Sequence, residues 1–220
     1  MDLKIIDILK IKSIEEISFP CVIDLGSVFG IIDLPTFNGV KRLDMAKNRL
    51  PGKHYGSISS ISKIPDHLKH LPSDFFCNSF IRQKITKKNI NNPLIKNGTH
   101  QTLFLGNSLN DFFYNCEQFI KKNIKKDELI HPLVSSVICS SANISGDSNG
   151  SITSYDIALN FCHHQKITTL IKNESGDVNS SKGSFPILEI NKKNYKVHRA
   201  GPDLIQKCEY LNSIGLVEIV

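Results

Sequence analysis

The chain has no tryptophan and only two methionines in 220 residues, and no run approaches the ~20 apolar residues of a membrane-spanning helix. No membrane contact is therefore expected. Charges interrupt the first apolar residues, Met1-Asp2-Leu3-Lys4-Ile5-Ile6-Asp7, too early for a secretory signal, so the reading is a cytoplasmic protein. There is no CxxC: the six cysteines are scattered, and Cys21 and Cys139 sit in apolar runs where a thiol packs as a small hydrophobe. Cys162-His163-His164 makes a poor metal site, because adjacent ligands point apart and no second pair follows. No metal ligands are assigned. Walker A and GxGxxG are also missing, and no nucleophile elbow is read in the chain. Any ATP site must then be of a non-Walker kind, and a serine nucleophile on an elbow is disfavoured, although folding could bring His131 or His198 to a serine.

Hydrophobic residues make up 40% of the chain, enough for a sizeable core, and the net charge of +6 favours anionic partners such as nucleotides or RNA. With no repeats and no composition break, residues 1–220 read as a single domain. The pattern alternates between helix and strand. Helices are expected over residues 3–9, 40–46, 66–71, 110–124 and 154–163, with Ser154 as an N-cap. Strands are expected over residues 22–25, 56–61, 102–105, 134–139, 167–171, 185–190 and 196–199. The segment 84–100 carries Asn-Asn-Pro and Asn-Gly turn signals. Phe112, Phe113, Cys116, Phe119 and Ile120 recur at helical spacing, and Lys121-Lys122-Asn123-Ile124-Lys125-Lys126 reads as the exposed end of that helix.

The apolar run Val134-Ser135-Ser136-Val137-Ile138-Cys139 passes directly into Ser140-Ser141-Ala142-Asn143-Ile144-Ser145-Gly146. A buried strand that delivers a small polar loop at its carboxyl end is where open α/β sheets bind ligands. Small side chains allow close backbone approach, and hydroxyls and an amide donate hydrogen bonds to an anion. Upstream, Val22-Ile23-Asp24-Leu25-Gly26-Ser27-Val28-Phe29-Gly30 precedes Lys47-Asn48-Arg49 and Leu50-Pro51-Gly52-Lys53, where closely spaced cations can converge on a triphosphate. Near the C-terminus come Glu174-Ser175-Gly176-Asp177, then Gly183-Ser184-Phe185-Pro186 and Val197-His198-Arg199-Ala200-Gly201.

The string from Ser140 to Gly146 resembles the Ser/Thr-Ser-Ala-Asn-Ile/Leu-Ser-Gly signature of the YrdC-like family, the threonylcarbamoyl-AMP synthases of tRNA modification. The segment ending Val28-Phe29-Gly30, the Lys-x-Arg at Lys47 and Arg49, and the Arg-x-Gly at Arg199 and Gly201 resemble its other landmarks, in order. The resemblance covers residues 20–61 and 130–202; residues 62–128 diverge. It implies a twisted open mixed α/β sheet with flanking helices. It implies synthesis of threonylcarbamoyl-AMP and pyrophosphate from ATP, bicarbonate and L-threonine or a related amino acid, with Mg²⁺ accompanying ATP, and tRNA and partner proteins of tRNA modification downstream.

The resemblance further implies that Lys47 and Arg49 are catalytic and bind nucleotide with Ser141, Asn143, Ser184 and Arg199, and that Ser27 and Ser141 bind substrate. The family's Pro-Thr falls on Asp24 and Leu25, and its Pro-Gly-Pro-x-Thr loop is missing: Ile81-Arg82-Gln83-Lys84 and the polar run from Lys87 to Asn92 stand there. Leu34-Pro35-Thr36 lies too close to Lys47 to be the Pro-Thr. Loss of the Thr hydroxyl weakens threonine selection more than nucleotide binding, so the alternative is a divergent nucleotide- or RNA-binding module without synthesis.

Overall fold

The computed structural model describes residues 2–87, 90–174 and 182–219. Lys88 and Asn89 of the polar run, and Ser175, Gly176 and Asp177 of the Glu-Ser-Gly-Asp motif, lie outside the described residues. Eleven strands are described: β1 (Lys4–Asp7), β2 (Cys21–Asp24), β3 (Phe29–Asp33), β4 (Gly56–Ser59), β5 (Ser79–Lys84), β6 (Thr99–Phe104), β7 (Val137–Ser141), β8 (Thr169–Lys172), β9 (Ile187–Ile190), β10 (Asn194–Arg199) and β11 (Val217–Glu218). They form one open, mixed sheet in the order β1-β8-β2-β3-β7-β4-β6-β5-β9-β10-β11. Four helices flank it: α1 (Phe37–Lys47), α2 (Asn107–Asn123), α3 (Tyr155–His164) and α4 (Leu204–Ser213).

Side chains alternate across the strands, and that alternation separates the cores. Cys21, Ile23, Ile32, Val137 and Cys139 face α2, which contributes Leu109, Phe112, Phe113, Cys116 and Ile120. Their neighbours Val22, Ile31 and Ile138 face the other way, onto Val40 and Leu43 of α1 and Ala158, Phe161 and Cys162 of α3. A third cluster joins Ile81, Leu188, Ile190 and Tyr195 to Leu211 of α4 and to Phe75 and Phe76.

Residues 3–9 are not a helix. Ile5 and Ile6 lie in β1, whose register on β8 runs from Lys4 opposite Thr169 to Asp7 opposite Lys172, followed by a 3₁₀ turn over Ile8–Lys10. β-branched residues suit a strand, and the partner that selects it is far away in sequence. The strand expected over 56–61 stops at Ser59, and the helix expected over 66–71 is a 3₁₀ turn, Asp66–Leu68. Ser154 occupies the N-cap of α3, but its hydroxyl makes no capping bond. Thr36 does cap a helix: its Oγ1 accepts from Gly39 N at 3.1 Å at the start of α1, so Leu34-Pro35-Thr36 is helix-entry chemistry. β3, β5, α4 and β11 are additional to the sequence reading.

Candidate active site

The site is built where α1 ends and β7 delivers its polar loop. β3 and β7 pair antiparallel with Gly30 opposite Ser141, and Ala142 N donates to Phe29 O at 2.9 Å, so the loop begins from a fixed strand end. α1 terminates at Asn48 in the left-handed conformation, φ 46°, which turns the chain and brings Lys47 and Arg49 onto that loop. Lys47 is 2% exposed. Its Nζ donates to Ser141 O, to Asn143 O at 2.5 Å and to Asn143 Oδ1 at 3.3 Å, while its own carbonyl accepts from Ser145 N at 2.8 Å. All three ammonium hydrogens are thus directed at the loop. Burial, with Arg49 and Lys53 close by, pushes the Lys47 ammonium down to about 7.

Arg49 is gripped from three sides. Nη1 donates to Ser140 Oγ at 3.0 Å, Nη2 donates to His54 O at 2.7 Å, and the guanidinium carbon lies 4.0 Å from the centre of the Tyr55 ring. Tyr55 is itself held, its hydroxyl donating to Asp44 Oδ1 at 2.6 Å. Arg49 Nε and Ser145 Oγ are buried without a hydrogen-bond partner among the described residues.

The C-terminal segment closes the opposite side. Arg199 donates twice to Phe185 O, from Nε at 2.9 Å and Nη2 at 2.6 Å, and the Ser184 and Ser151 hydroxyls lie 2.7 Å apart. A Cβ on Gly201 would sit 2.5 Å from both Pro186 N and Ser184 O, which explains why the turn after Arg199 needs a residue without a side chain. Lys182 Nζ donates to Gly26 O at 3.0 Å and Gly183 N to Ser27 O at 3.0 Å, laying this segment over the β2–β3 turn.

These parts enclose a cleft of about 450 Å³ on the α2 face of the sheet. Lys47, Arg49, Ser141, Asn143, Ser184 and Arg199 all line it. Ser27 is not among the described lining residues; its Oγ is buried and unpaired behind the turn. The divergent middle third contributes Phe80, Lys96, Gln101 and Leu103, which no motif announced. His54 also lines the cleft, and Tyr55 stands behind Arg49; an aromatic close after a basic pair was the available signal for Tyr55. Among the described lining residues Lys47, Arg49, Lys53, Lys96 and Arg199 are cationic and none is a carboxylate. The electrostatics select an anion.

A mixed open sheet with a cationic cleft at the end of a central strand has its cleft where open α/β sheets bind ligands. No family model and no curated protein matches the chain. Among solved structures, a double-substituted form of P. abyssi Sua5 aligns with a TM-score of 0.64 at 16% identity, over 99% of this chain and 62% of that one. P. abyssi Sua5 complexed with L-threonine aligns at 0.60 and 15%, over 90% and 54%. Full-length HypF in its phosphate- and nucleotide-bound form gives 0.53 and 12%, over 81% and 26%, and E. coli YciO 0.51 and 12%, over 82% of each chain. The fold is that of the Sua5 and YrdC-like proteins. The chain spans about three-fifths of the length of the Sua5 structure it matches first, 62%.

Proposed function

We propose that the chain is a carbamoyl-adenylate synthase that uses ATP, bicarbonate and an L-amino acid. In this reading the amine nitrogen bonds to the bicarbonate carbon and water leaves. A carbamate oxygen then bonds to the α-phosphorus of ATP while the bond from that phosphorus to the bridging oxygen breaks, and pyrophosphate departs with the electron pair. The observation that carries the reading is the convergence of α1, the β7 loop and the C-terminal segment on one cleft whose described lining residues include Lys47, Arg49, Lys53, Lys96 and Arg199 and no carboxylate. Support for an amino-acid substrate comes from the L-threonine complex of P. abyssi Sua5, and for a nucleotide from the bound form of HypF.

Arg49 is the residue assigned to charge developing at the α-phosphate of the transferred adenylyl group, since it lines the cleft and its plane is held by Ser140, His54 and Tyr55. Lys47 acts on the same group at one remove. Its hydrogens hold Ser141 and Asn143 in place, so it is a positioning residue, and Ser141, Asn143 and Ser145 meet the nucleotide. Ser184 and Arg199 close the site. The cleft offers Mg²⁺ no carboxylate among the described lining residues, so the ion would travel on phosphate oxygens, and no step is assigned to it. Use of the adenylate in tRNA modification rests on the family resemblance alone.

Leu25 and the missing Pro-Gly-Pro-x-Thr loop favour a second reading, a binding module without synthesis. Incubation with ATP, bicarbonate and a panel of L-amino acids, followed by pyrophosphate release and mass analysis of the adenylate, separates the two. The synthase reading expects stoichiometric pyrophosphate and carbamoyl-adenylate; ATP binding with neither product sinks it.

A further inference from the structure

The cleft has two unlike walls. One carries Lys47, Arg49, Ser140, Ser141, Asn143 and Ser145; the other carries Leu25, Val28 and Phe185, and Leu25 and Val28 are each 5% exposed. Leu25 leans over Gly30: a Cβ on Gly30 would sit 2.8 Å from Leu25 Cδ1 and 3.6 Å from Ser140 O. The methyl groups of Leu25 therefore border the loop on which the proposed chemistry takes place.

We propose that the amino-acid substrate carries an aliphatic side chain without a hydroxyl, L-valine being the test case as the isostere of L-threonine. This rests on the synthase reading above. The amino-acid carboxylate, the carbamate and the α-phosphate are all anionic and compete for the cationic wall. The side chain is left to the apolar one. Ser27 is not among the described lining residues, and the hydroxyl next to Phe185, that of Ser184, already shares a hydrogen bond with Ser151. Gln101 lies beside Gly56, with β7 and β4 between its strand and that of Gly30. A β-hydroxyl placed against the methyl groups of Leu25 gives up water there, whereas a methyl gives up nothing.

An apolar pocket rejects an added hydroxyl weakly, so the expected preference for valine over threonine is about 10- to 100-fold in kcat/KM for adenylate formation. Two substitutions test the wall itself. Leu25→Thr is expected to move the valine-to-threonine ratio at least about tenfold toward threonine. Because Leu25 is packed in the core beneath α2, Val28→Thr, which alters shape least, serves as the second variant, with the same direction expected. ATP binding is measured in parallel by calorimetry. Adenylate formed faster from threonine than from valine in the unsubstituted protein overturns the inference, as does a ratio that neither variant moves. Failure to bind ATP overturns the underlying reading together with the inference, and ATP binding without product from any amino acid overturns the amino-acid chemistry while leaving the nucleotide site.

Discussion

Lys47 shows how one buried side chain can organise the site it lines. An ammonium taken out of water and set near Arg49 and Lys53 is costly, and its pKa falls to about 7; three oxygen acceptors on the β7 loop oppose that fall. The unfolded chain keeps this proton up to the ordinary lysine value of 10.5. Between those limits the unfolded state binds more protons, so the contribution of Lys47 to stability rises with pH across that window, by at most about 1.4 kcal/mol per pH unit. Urea midpoints for the unsubstituted protein and Lys47→Met at pH 6.5 and 9.5 test this: the difference between them should shift in favour of Lys47 at the higher pH. A difference that is flat, or that falls as pH rises, contradicts the assignment. The same substitution leaves Ser141 O and Asn143 O without their donor, an expected loss of about 1–3 kcal/mol at pH 9.5.

At the scale of the elements, entry into α1 matters because that helix carries Lys47 at its last turn. Thr36 caps it and buried Asp33 anchors it, accepting from Arg42 Nε at 2.9 Å and Nη2 at 2.5 Å. Thr36→Ala is expected to cost about 1 kcal/mol, and Ser154→Ala at the start of α3, where the hydroxyl makes no cap bond, less than about 0.5 kcal/mol. Chemical denaturation of both variants decides it, and equal losses would contradict the difference in capping. What local pattern carries was legible here: α2 from its apolar spacing, β7 from its β-branched run and abrupt polar end. β1 was not, because a four-residue strand interrupted by charge is selected by its pairing with β8. β3 passed unseen because Gly30 breaks its apolar run, and the same glycine gives Leu25 its place. The Ser-Ala-Asn loop and the Lys-x-Arg stood out as strings, but that Lys47 spends its hydrogens on the loop and Arg49 stacks on Tyr55 depends on contacts no string contains.

For the whole molecule, the decisive fact is that the cleft is assembled from residues at opposite ends of the chain. Leu25, Arg49, Phe80, Ser141 and Arg199 meet only when β2 through β10 are in register, and one sheet connects them all. The three apolar clusters lie against that one sheet, which predicts a single cooperative unfolding transition in which site and fold are lost together. A ligand that binds only the assembled cleft must then stabilise every probe equally, by about 2.7 kcal/mol when present at a hundred times its Kd. ATP should therefore raise the melting temperature seen by far-ultraviolet circular dichroism and by tyrosine fluorescence by the same amount. Because cations dominate the lining, that rise should shrink at higher ionic strength. Arg49→Ala should lose most of it, since the variant removes a guanidinium that lines the cleft. Two separated transitions, or a rise insensitive both to salt and to Arg49, would mean that ATP binds elsewhere and that the cleft is not its site.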